Sequence, residues 1–258
     1  MIFRRFAASL RRQDWTGVFI ELAIVILGVF IGLQVSNWNE ARKDGNLARS
    51  YIGRIREDIR SDLKRFDRGD ATADERLAQV GVLLRAVDDP VSVNKAPARF
   101  LEAMEEAAWR TYEPVQPRAY AELVSTGKVS LITPVALRDA IAAYYAQIER
   151  WAPIASEQTA QSAFVHASAG LLDAHQIDAV ERSQGATDVA WSAEDLAKAV
   201  GVAKRFAATP EAVRWLPELH HHQILVKAVD ARNRASAKVL LAKIEADYSD
   251  LGESVRRR

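Results

Sequence analysis

The run His220-His221-His222 holds three of the chain's five histidines, and Glu218 stands three residues before His221 and four before His222. On a helix those offsets share a face, and Glu-x-x-His is the spacing that di-iron bundles use to present a carboxylate and an imidazole to one metal. Such a centre needs a second Glu-x-x-His and two further carboxylates from other helices. The sequence contains no second copy, and the remaining histidines, His166 and His175, fall on a different predicted helix. The default expectation is therefore packing or surface histidines with no cofactor and no metal. Glu218, His221 and His222 stay as the candidates of an alternative reading, in which a metal-binding protein or enzyme uses Glu218 and the His220–His222 cluster.

Other chemistry is sparse. Trp109, Trp151, Trp191 and Trp215 could line a ligand pocket, but indoles scattered among helices usually serve as core or interface anchors, and Tyr144-Tyr145 is read the same way. Ser125-Thr126-Gly127-Lys128 ends like a phosphate loop without its upstream glycine and is better read as a helix stop. No nucleophile elbow, His-Glu-x-x-His motif or calcium loop is present, so no catalytic residue is expected. The absence of cysteine excludes disulfides and thiolate chemistry. With 35 basic against 34 acidic side chains the chain has no global field that would favour nucleic acid.

The elements that would carry these residues begin with residues 16–36, an apolar run long enough for a bilayer and bracketed by Trp15 and Trp38, which suit the two headgroup belts. A signal peptide is its competitor, since Arg4, Arg5, Arg11 and Arg12 precede the run. The run exceeds a usual signal core, lacks a small-x-small cleavage site and continues into further helix, which favours an uncleaved signal anchor. Arg42, Lys43 and Arg49 follow at similar density, so the expected cytoplasmic N-terminus rests mainly on the short tail being easier to retain than a large domain. Gly17, Glu21, Gly28 and Gly32 share one face of the span. Gly28-x-x-x-Gly32 suits close helix packing, hence a homodimer through the span; glycine's general frequency in membrane helices is the alternative account, of equal weight. Glu21 lies only about 9 Å along the helix from Trp15 and could snorkel, be protonated or face a partner.

Beyond the span, Tyr51, Ile55, Ile59, Leu63 and Phe66 recur at three- and four-residue steps, predicting an amphipathic stalk helix with a period nearer 3.6 than a strict heptad. Further helices are predicted over residues 71–87, with Leu77, Val80, Leu84 and Val87 inward and a stop at Asp88-Asp89-Pro90, and from Pro97, with Phe100, Leu101 and Met104 inward. After a proline-bounded connection at 111–117, a short helix carries Tyr120 and Leu123 to a stop at Gly127. An extended crossing at 129–132 then leads to a helix capped by Thr133-Pro134, with Leu137, Ile141, Tyr144, Tyr145 and Ile148 inward, closed by Trp151-Ala152-Pro153. Helix signals over 154–175 weaken across 176–191 into a long loop. Ser192 and Asp195 form a capping box, Thr209-Pro210 starts another helix, and a last helix, kinked at Pro217, runs to about Leu251 before the frayed Arg256, Arg257 and Arg258. The fold class is all-α, a single N-terminal transmembrane helix continuing into a helical-bundle domain. Its parts are a basic tail (1–15), the span (16–36), the stalk (37–66) and the bundle (67–258).

The strings ELAIVILGVFIGLQVSNWNEARK (21–43) and AYAELVSTGKVSLITPVALRDAIAAYY (119–145) resemble an uncharacterised bacterial family of single-pass membrane proteins, a domain of unknown function whose N-terminal anchor ends in Asn-Trp-Asn-Glu. The resemblance implies a membrane location and a helical domain and supplies no catalytic residues. The expectation is a protein-interaction or sensory module of the bacterial envelope, held in the inner-membrane lipid bilayer with its C-terminal domain periplasmic, that binds an unknown protein partner and no nucleic acid.

Overall fold

A computed structural model describes residues 15–109, 111–185 and 191–249. The predicted arginines of the tail, part of the predicted 176–191 loop and the terminal arginines lie outside the described residues. Among those described there is helix and no strand, as an all-α chain requires.

The stalk and the helix predicted at 71–87 are one element with the span: α1 runs unbroken over Trp15–Asp88. No proline interrupts it, and it ends where expected, at Asp89, whose carboxylate accepts from the Val91 N–H to open a 3₁₀ turn, Pro90–Lys95. The chain divides into two compact units, Met1–Ile52 and Gly53–Arg258.

In the first unit the apolar side chains from Phe19 to Val35 all face outward, with Phe19 70% and Ile24 63% exposed. It contains the one helical stretch among the described residues long and apolar enough to cross a membrane.

The second unit is built on the remainder of α1. Its inward stripe is Ile55, Ile59, Asp62, Phe66, Gly69, Ala73, Arg76, Val80 and Leu83, in strictly alternating steps of four and three. That is a seven-residue repeat, not the 3.6 period expected, and it places Leu83 inside while Leu84 is 39% exposed. The expectation failed because three stripe positions hold Asp62, Gly69 and Arg76, which hide the repeat from any count of apolar residues.

The other helices are α2 (Pro97–Glu106), α3 (Arg118–Ser125), α4 (Val135–Ala155), α5 (Thr159–Ser168), α6 (Ala174–Gly185), α7 (Ala193–Ala207), the single turn α8 (Pro210–Val213) and α9 (Leu216–Asp247). Several local expectations hold. Gly127 takes φ +69° and ends α3, with the Lys128 and Gly127 N–H groups donating to the Leu123 and Val124 carbonyls, a Schellman stop. Ser192 caps α7 by accepting from the Asp195 N–H.

Others are corrected. Residues 129–131 form a 3₁₀ turn rather than an extended crossing. Thr133 donates to the Leu131 carbonyl and caps nothing, and α4 carries Pro153 within its last turn, where the ring follows carbonyls already near the helix end, and continues to Ala155. The predicted loop opens as α6, started by Gln176 and Asp173, which exchange side-chain to N–H bonds of 2.9 and 3.0 Å. Pro217 sits in the first turn of α9, where its missing N–H is harmless, so it kinks nothing.

α4 packs along α9, and α7 against α2 and the 3₁₀ turn. The main core joins Val80, Leu83, Phe100, Leu101, Phe164, Val202, Phe206 and Leu216, all 0–1% exposed. A second, smaller cluster holds Tyr112, Ala155, Val226 and Val229, with Trp151 against it.

Candidate functional site

The sequence candidates Glu218, His221 and His222 project from the first turns of α9 at i, i+3 and i+4, and Trp215 and Leu225 extend the same stripe by one turn each way. Opposite them stand Pro153 and Ile154 from the end of α4, Glu157 from the linker, and Thr159, Ala160 and Gln161 from the start of α5. Together they line a groove of about 550 Å³. The shared helical face expected for the glutamate and the two histidines therefore exists, and it faces a cavity.

The polar atoms of this groove are already partly committed. Glu157 Oε1 caps α5, accepting from the Gln158 and Thr159 N–H groups at 2.9 and 2.8 Å and from the Thr159 hydroxyl at 2.5 Å. The Thr159 hydroxyl and those backbone donors hold the carboxyl below its usual range. His222 Nε2 lies 2.9 Å from the Glu157 carbonyl, which can only accept, so Nε2 carries the proton and Nδ1 keeps a lone pair. Burial pushes the His222 pKa down, which favours this neutral tautomer. Nδ1 and the Oε1 of the 6% exposed Gln161 are enclosed and without a partner.

Among the described residues no group of three or more His, Asp or Glu side chains is placed to hold an ion. His166, His175 and His220 are exposed on their own helices.

The four tryptophans divide. Trp191 and Trp215 pack against the main core and Trp151 against the smaller one, while Trp109 receives the Arg76 guanidinium over its ring at 5.5 Å. All four are half-buried rather than fully inside, and Trp215 both packs and lines the groove.

A set of charged side chains that sequence reasoning missed lies where the heptad stripe of α1 turns polar. Asp62 accepts from the Tyr144 hydroxyl at 2.9 Å and from Arg65 at 2.8 Å. Burial raises both the Asp62 and the Tyr144 pKa, and the Asp62 charge raises the phenol further. One turn pair on, Arg234 of α9 bonds the Phe66 carbonyl at 2.9 Å and Asp70 at 2.5 Å. Gly69 lets Asp230 approach so closely that a methyl group there would stand 2.5 Å from its Oδ2. Burial first, and then the Asp70 charge, pushes the Asp230 carboxyl up to about 7.

At the next repeat Arg76 donates to Gln79 (2.8 Å) and Glu106 (2.9 Å), and Gln79 closes the triangle on Glu106 at 2.7 Å. Asp58, beside the stripe, accepts from the Ala119 N–H and so caps α3, whose own cap residue is a proline. The available signal was the seven-residue interval Asp62, Gly69, Arg76, which is visible only once α1 is known to be one helix. These buried partners fix the register of α1 against α4, α9 and α2.

On the span, Gly28 and Gly32 have open space where a side chain would begin. Glu21 and the 66% exposed Trp38 face outward, the latter under Arg42 at 5.9 Å. Trp15 and Gly17 lie in the helix backbone.

No curated protein and no solved structure matches the chain. The model of a family of unknown function (DUF6090) matches residues 21–152, just over half of the chain. The match takes in the apolar helix, the heptad stripe and α4 to its last turn, and stops short of α5 and α9, which supply most of the groove. By that match the chain belongs to the family of unknown function DUF6090.

Proposed function

We propose that this chain is a single-pass membrane protein of the bacterial envelope whose helical domain is a binding or sensory module rather than an enzyme. The observation that carries the reading is the outward-facing apolar stretch from Phe19 to Val35. Each such side chain forgoes about 1.5–3 kcal/mol by standing in water instead of an apolar medium, and a dozen of them on one helix is a surface made for lipid. The tail stays cytoplasmic and the domain lies outside.

The reading is tested by separating membranes from whole cells and washing them with alkaline carbonate, with phosphatase and fluorescent-protein fusions placed after Arg258. Retention in the pellet, an active phosphatase and a dark fluorescent fusion are the expected results. Release by carbonate removes the anchor, and a bright fluorescent fusion with inactive phosphatase reverses the orientation. The open face at Gly28 and Gly32 supports pairing of two spans. Gly28→Ile with Gly32→Ile then abolishes energy transfer between labelled span peptides in bilayers, whereas unchanged transfer leaves the span a passive tether.

A further inference from the structure

The groove between the ends of α4 and α5 and the first turns of α9 has a lopsided chemistry. Its walls are apolar and aromatic at Pro153, Ile154, Ala160, Trp215 and Leu225. Two carboxylates, Glu157 and Glu218, lie in the lining, and no lysine or arginine does. The enclosed polar atoms left over are His222 Nδ1, an acceptor because Nε2 is used on the Glu157 carbonyl, and Gln161 Oε1. Orphaned buried acceptors are uncommon because each forfeits a hydrogen bond, and a donor brought in by a ligand would repair them.

We propose that this groove binds a small amphipathic amine, with its aryl or alkyl body against Trp215, Ile154 and Leu225 and its ammonium directed to the carboxylates and acceptors at the Glu157, Gln161, Glu218 and His222 end. An ammonium supplies donors and no acceptor, which matches a lining rich in acceptors. The two carboxylates suit a cation and repel an anion, while the Trp215 ring, which already carries the Arg214 guanidinium 5.1 Å from its centroid, is left to the ligand's body. The volume is that of a small-molecule site. The four residues at Trp215, Glu218, His221 or His222, and Leu225 are successive turns of one rigid helix, so the body and head contacts are set at fixed separation.

This site would give the sensory reading its ligand class, and it can fail while the membrane anchor stands, because carbonate extraction reports nothing about the groove.

The test is calorimetric titration of the full chain in detergent with phenethylamine, phenethyl alcohol and phenylacetate, each against protein-free micelles. Saturable, stoichiometric binding of the amine is expected, with the alcohol and the anion about tenfold weaker or more, as loss of a charge-assisted hydrogen bond implies. Glu218→Gln, an exposed and nearly isosteric change, should weaken the amine about tenfold and leave the alcohol unaffected. Gln161→Met should weaken it as well, and its fold is checked by an unchanged melting temperature; if that variant melts early, Glu218→Gln decides alone. Absence of saturable amine binding, equal or tighter binding of phenylacetate or phenethyl alcohol, or an amine affinity indifferent to Glu218→Gln overturns the proposal.

Discussion

Within α1 two stretches follow opposite solvation rules. From Phe19 to Val35 the apolar side chains point out and no polar group is covered, whereas from Ile55 to Leu83 the apolar residues point in and Asp62 and Arg76 are buried with them. The first stretch has almost no side-chain hydrogen-bonding capacity to satisfy, so its surface suits an apolar solvent. The second carries charged groups that find partners on other helices: Tyr144 of α4 for Asp62, Arg234 of α9 for Asp70 and the Phe66 carbonyl, and Glu106 of α2 for Arg76. A helix can thus change environment along its length with no break in its backbone, because only the side chains decide what surrounds it.

The largest way to break this contrast is to charge the outward stretch. Ile26→Arg with Phe30→Arg places two cations near the middle of the span, each costing about 2.5–3.5 kcal/mol there, and carbonate washing should then release the protein from the pellet. The thermal unfolding of the helical domain should not change. A loss of domain stability would mean that the outward stretch packs after all.

The reciprocal experiment removes an inward side chain. Phe100 is 0% exposed in the main core, so Phe100→Ala should destabilise the domain by about 3–5 kcal/mol in urea titrations, while Phe30→Ala, at a 57% exposed position, should leave the unfolding midpoint in place.

The buried charges sharpen the comparison through pH. Folding raises the Asp230 pKa to about 7, so between roughly pH 4 and pH 7 the native state keeps a proton that the unfolded chain has released. Its contribution is present in full below about pH 4 and is lost as pH rises through 7, so stability should fall by a few kcal/mol across that window. Asp230→Asn should flatten this part of the profile and make the domain more stable than the parent at pH 8. An unchanged slope would place the titration elsewhere.

The smallest expected effect is at Gly69. A methyl group there collides with Asp230 Oδ2, and Gly69→Ala should cost about 1–3 kcal/mol of overpacking, partly offset by better helix propensity. Combining it with Asp230→Ala should recover most of that loss in a double-mutant cycle, because the two sites are in contact.

The helical class, the apolar run, the stops at Asp89 and Gly127 and the Ser192 cap were all legible because each depends on residues within one or two turns of each other. Thr133, Pro217 and residues 176–185 were misread for a related reason. A threonine hydroxyl chooses between neighbouring carbonyls and N–H groups by a backbone angle that composition does not specify, and a proline is a break or a beginning depending only on where the helix starts. Asp173 and Gln176 likewise open a helix in a stretch whose apolar periodicity is poor.

By itself the sequence determined where apolar surface exceeds what a small domain can cover, and that Glu218, His221 and His222 share a helical face, since length, hydropathy and helical spacing are properties of the chain alone. Only the tertiary structure decided that the Glu218 face looks into a groove walled by Ile154 and Gln161, that His222 spends its proton on the Glu157 carbonyl, and that Asp62, Gly69 and Arg76 are one seam. Those outcomes depend on which helices meet. A polar residue reads as a surface residue until its buried partner, tens of residues away, is brought within hydrogen-bond distance.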